Sequence, residues 1–81
     1  MRYYRTAPEW ERLPRPEIGF YREDTGEGYR AVYNPSGRGV VICHRGDWEG
    51  RGNEYLPRAF GTLDAARRAL RVLMIEKGIL K

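Results

Sequence analysis

The chain carries one cysteine, Cys43, and one histidine, His44. A single thiol excludes an intrachain disulfide framework and fits a reducing compartment. The two residues also fall short of the four thiolate or imidazole ligands common in structural zinc sites. Adjacent in an extended segment, they point to opposite faces and make no nucleophile–base pair by themselves. Long hydrophobic runs are missing as well, the longest being residues 40–43 and 72–75. That leaves neither a membrane-spanning helix nor a secretory h-region, and predicts a cytoplasmic protein. Glycine-rich phosphate loops are absent too, because Gly26-Glu27-Gly28 and Gly50-Arg51-Gly52 lack the further glycines, the lysine and the strand–loop–helix setting. Eleven carboxylates are scattered along the chain near arginines, and none pairs for acid–base work. The sequence therefore predicts no enzyme, no cofactor and no metal.

What is present suits a folded binding module. Hydrophobic residues make up 41% of the 81 positions and aromatics 12%, well above a chain that stays disordered. The length has room for one domain. The formal charge is +4, and thirteen of the fifteen basic residues are arginine, with only Lys77 and Lys81 as lysine. Arginine offers a planar fork of donors for phosphate and carboxylate, and it stacks on aromatic rings. Residues 1–27 hold five arginines against six acids, whereas residues 28–71 hold eight against four. A basic face therefore belongs to the second half.

The pattern predicts an α+β fold, a small antiparallel sheet of three to four strands packed by one C-terminal helix. Residues 1–81 form one domain in this reading: an arm over 1–17 with a short helical turn, a sheet over 18–60 and a helix over 62–77. The arm opens with a short edge strand at residues 2–5. Thr6-Ala7-Pro8-Glu9 then has capping-box form, with Thr6 as N-cap, and Trp10 and Leu13 lie down on the core. Pro14 and Pro16 stop the turn. Strands at residues 20–23, 29–33 and 39–44 are rich in β-branched and aromatic residues. Asn34-Pro35-Ser36-Gly37 reads as a three-residue hairpin loop with a bulge, and Glu23-Asp24-Thr25-Gly26 as a similar one. An edge strand over 54–60 contains Pro57. Thr62 caps the helix, in which Leu63, Ala66, Leu70, Leu73 and Met74 form the apolar stripe before Gly78. Asp64 and Arg68 are spaced for an i,i+4 pair.

With two three-residue loops, Tyr21, Tyr29, Ala31, Tyr33, Val41 and Cys43 share the core face. Phe20, Arg22, Arg30, Val32, Val40, Ile42 and His44 share the other, and a one-residue slip exchanges part of these sets. Arg30, Arg38 and His44 then gather near Arg22. Trp48 and Arg51 occupy a glycine-rich loop over 46–53, and Arg67, Arg68 and Arg71 line the outer face of the helix. Arginines beside aromatics suit nucleic acid, through phosphate contacts and base stacking.

From residue 28 to 75 the order is strand, turn, strand, loop, strand, then a helix opening Phe60-Gly61-Thr62-Leu63-Asp64-Ala65-Ala66. This resembles the three-stranded-sheet-plus-helix module at the N-terminus of tyrosine integrases and in plant AP2-type domains. Small phage and mobile-element proteins carry a similar helix start. The resemblance implies a sheet face laid into the DNA major groove, carrying here Arg30, Arg38 and His44. A second expectation is a phage-encoded inhibitor of a host defence complex, similar to anti-CRISPR proteins, that meets an acidic protein surface through Trp10, Trp48 and the tyrosines.

Overall fold

The structure, a computed structural model, describes residues 4–79. Five strands follow one another in an all-antiparallel meander: β1 (Tyr4–Thr6), β2 (Ile18–Arg22), β3 (Gly28–Tyr33), β4 (Val40–Arg45) and β5 (Glu54–Phe60). A 3-10 helix, Pro8–Arg12, interrupts the run after β1, and α1 (Leu63–Glu76) ends it. The α+β class is as expected; the sheet has five strands rather than three or four because β1 pairs with β2. Arg2 and Tyr3 of the expected edge strand lie outside the described residues.

The capping box does not form. Thr6 is taken by the ladder opposite Phe20, so Ala7 precedes the turn and no side chain caps it. Leu13 ends exposed rather than in the core.

The faces of the sheet differ from the expected sets, and loop length is the reason. The Arg22 amide donates to the Glu27 carbonyl (2.8 Å) and the Asn34 amide to the Gly39 carbonyl (2.9 Å). Each pair encloses four residues, 23–26 and 35–38, instead of three. One extra residue per loop moves β2 and β4 by one position relative to β3, which swaps their faces. Tyr29, Ala31 and Tyr33 keep the core side, as expected, but opposite them stand Phe20, Ile18, His44, Ile42 and Val40. Tyr21, Val41 and Cys43 face the other way.

The core is therefore Ile18, Phe20, Ala31, Val40 and Ile42 from the sheet, closed by Ala66 and Leu70 of α1. Leu63, Ala69, Leu73 and Met74 widen that contact. The Thr62 hydroxyl caps the helix by accepting from the Ala65 amide at 3.1 Å. At the other end the Ile79 amide reaches the Met74 carbonyl (2.8 Å) and the Gly78 amide the Ile75 carbonyl (3.1 Å). That is a Schellman motif, with Gly78 at φ 82° and Ile79 packed on the core. Asp64 reaches Arg67 (3.9 Å), which also meets Glu11, so the expected pairing with Arg68 does not form. Between Val41↔Ala59 and Cys43↔Tyr55, β4 advances two residues and β5 four; Pro57, with no N–H to donate, sits in that bulged stretch. Among the described residues no helix is long and apolar enough to cross a membrane.

Candidate functional site

The face of the sheet opposite α1 holds Arg5 of β1, Tyr21 of β2, Arg30 of β3, and Cys43 and Arg45 of β4. Two tryptophans from outside the sheet lie on it. Trp10 arrives on the 3-10 helix, which the Ala7 amide ties to the Gly19 carbonyl. Gly19 is what lets it settle: a Cβ there would stand 2.6 Å from the Trp10 ring and 2.3 Å from the Tyr29 carbonyl. Trp48 arrives on the β4–β5 loop, and its amide donates to the Thr25 carbonyl at 3.0 Å. That loop is braced by Asp47, which accepts from the Arg51 amide (3.0 Å) and its Nε (2.8 Å). The Arg51 guanidinium beside Asp47 holds that carboxyl below its ordinary range.

The aromatic rings form a row. Trp10 and Tyr21 have centroids 5.6 Å apart, and Tyr21 and Trp48 5.5 Å. Each ring also carries an arginine: Arg30 lies 4.3 Å from the Trp10 ring, Arg5 5.1 Å from Tyr21 and Arg45 5.2 Å from Trp48. Such stacking desolvates the guanidinium faces and leaves their edges to hydrogen bonds, which Arg5 makes to Glu9, Arg30 to Glu17 and Arg45 to the Gly26 carbonyl. Between the tryptophans runs a cleft of about 260 Å³, floored by Tyr21, Gly28, Arg30, Cys43 and Arg45 and closed at the loop end by Gly50 and Asn53. Burial pushes the Cys43 thiol up from its ordinary value, against the opposing pull of Arg30 and Arg45.

Comparison with protein-family models, curated proteins and solved structures finds no match to this chain. The cleft is therefore read from its own chemistry.

Of the nine positions expected from the sequence, Arg30 and Trp48 reach this cleft. His44 does not share a face with Arg30, because Arg30 pairs with Cys43. It lies on the helix side instead, stacked on Tyr29 (4.7 Å), with Nε2 2.6 Å from Glu27. The other Glu27 oxygen accepts from the Tyr4 hydroxyl at 2.5 Å. Burial, then that bond and the Glu27 charge, push the Tyr4 hydroxyl up to about 12. Arg22 is also on the helix side, bonded to Asp24 at 2.6 Å. Arg38 is exposed in the β3–β4 loop. Arg51 sits on the outside of its loop, paired to Asp47 and Glu49. Arg67, Arg68 and Arg71 stay on α1, beside a separate groove over Ile18 and Leu70.

Sequence reading missed Arg45 and Arg5, set Tyr21 on the core face, and laid Trp10 on the core while counting both among the aromatic anchors of the protein-partner reading. Alternation from Arg30 and Cys43 points to Arg45 once four-residue loops are assumed. Nothing local places Trp10 beside Tyr21, since the contact depends on the path of the arm. Among the described residues no group of three or more histidines, cysteines or acids is placed to hold a metal.

Proposed function

We propose that this chain is a non-catalytic nucleic-acid-binding protein that takes single-stranded ligand on the helix-free face of its sheet. The observation that carries the reading is the row Trp10–Tyr21–Trp48 with an arginine on every ring. Aromatic faces stack on bases whatever their sequence, and guanidinium edges meet the phosphates between them. Trp48, 51% exposed although it is pinned through its backbone, is a stacking surface already held in place. Single strands are favoured over duplex because Trp10 and Trp48 both rest on the face that would otherwise lie flat in a groove, and a paired base offers no free ring face.

Quenching of tryptophan fluorescence by short oligonucleotides tests this. Single strands are expected to bind more tightly than the same sequence as duplex, with log affinity falling by about 0.7 per phosphate contact against log salt. Trp48→Ala is expected to weaken binding by about 1–3 kcal/mol. No binding of any single strand at low salt would refute the proposal and turn attention to a protein partner.

A further inference from the structure

We infer that the cleft is a one-nucleotide site, in which a single base enters beside Trp48 and its phosphate rests on Arg45. The inference rests on the nucleic-acid reading above and narrows its ligand to the nucleotide unit itself.

Size is the first argument. About 260 Å³ lies just under the roughly 300–1,000 Å³ of sites that hold drug-sized ligands. There is room for one ring system with its substituents, and none for a stack of bases. The lining fits a ring with polar edges: the rings of Trp10, Tyr21 and Trp48, then Asn53 where the loop closes it.

Charge is the second argument, and it breaks the symmetry of the row. Arg5 gives its charge to Glu9 at 3.0 Å, and Arg30 is paired to Glu17. Arg45 has no carboxylate within salt-bridge distance among the described residues. Its Nε donates to the Gly26 carbonyl at 3.0 Å, and its guanidinium is stacked by Trp48. A guanidinium has five N–H donors, so most of the fork is left over. A half-buried arginine stacked on one face and fixed through Nε is prepared for an oxyanion, which it binds through paired, charge-assisted bonds. Phosphate therefore belongs at the Arg45 end, next to the most exposed ring of the row.

The test titrates the full chain with nucleoside 5′-monophosphates, the matching nucleosides, inorganic phosphate and a single-stranded oligonucleotide of about ten residues, each followed by tryptophan fluorescence. Monophosphates are expected to bind about tenfold more tightly than nucleosides, the size of one charge-assisted contact. Arg45→Gln should bring the two to equality, and Arg45→Lys should keep part of the difference. Thermal melting checks that both variants fold. If the oligonucleotide binds and neither monophosphate nor nucleoside does, the one-nucleotide site is wrong and the strand reading stands. If nothing binds, both fall. Loss of nucleoside and monophosphate by the same factor in a folded Arg45→Gln chain would overturn the phosphate assignment, leaving Arg45 as a support for Trp48.

Discussion

Leu70→Ala is the substitution whose cost follows most directly from the packing. Leu70 is 1% exposed and closes the core from the helix side, against Ile18, Phe20, Ala31, Val40 and Ile42. Alanine removes three carbons, a transfer cost of about 2.4 kcal/mol at ~0.8 per carbon. The sheet beneath is held by its ladder and cannot collapse fully into the space, so a cavity term raises the total to about 3–4 kcal/mol. At ~0.05–0.15 kcal/mol per residue, a chain of 81 residues is stable by only about 4–12 kcal/mol. The variant should lose a large share of that. In urea, followed by tryptophan fluorescence, its midpoint should drop by roughly 2–3 M, or the protein should be unfolded from the start. Val72→Ala is the internal comparison: two residues along the same helix but 56% exposed, it should change stability by no more than about 0.5 kcal/mol. Equal midpoints for the two variants would refute the placement of α1 on the sheet.

Two further expectations concern stability. In an ultraviolet titration Tyr4 should give an ionisation step near pH 12; because the unfolded chain releases that proton near 10 while the folded one keeps it, Tyr4 stabilises below pH 10 and the contribution is lost as pH rises toward 12. Glu27→Gln should bring the late step down, and an unmoved step would refute the Tyr4–Glu27 bond. Gly28→Ala should destabilise by about 1–3 kcal/mol or more in thermal melts, since its Cβ would stand 2.2 Å from the Phe20 carbonyl, and an unchanged melting temperature would contradict that close approach of β2 and β3.

The helix was legible because its signals are local. Thr62, the spacing of Ala66 and Leu70, and Gly78 each act within a turn or two of the chain, and the structure uses all of them as expected. The strands were legible for the same reason. Their faces were not, because Glu23-Asp24-Thr25-Gly26 and Asn34-Pro35-Ser36-Gly37 each fit a loop of three residues or four, and that one residue decides whether Phe20 or Tyr21 is buried in β2, and Val40 or Val41 turned to the helix in β4. The cleft suffered twice. With the faces exchanged, His44 stood in for Arg45 as the neighbour of Arg30. Its walls also come from segments far apart in sequence, with Trp10 and Trp48 both meeting Tyr21. Pairings of that range leave no periodic trace.

The bulge in β5 has a consequence for crowded solution. This outermost strand is seven residues long, mostly exposed, and carries Tyr55 with 57% of its surface in water. A flat strand of that kind would offer its unpaired amides as a template, and copies of the chain would add to it one after another toward a fibril. Pro57 removes a donor at the middle of the row and the bulge spoils the spacing on either side, while Glu54 and Arg58 put charge along it. An incoming strand finds no continuous ladder to read. The chain can keep an aromatic, arginine-rich face open to ligands without its own backbone becoming the ligand.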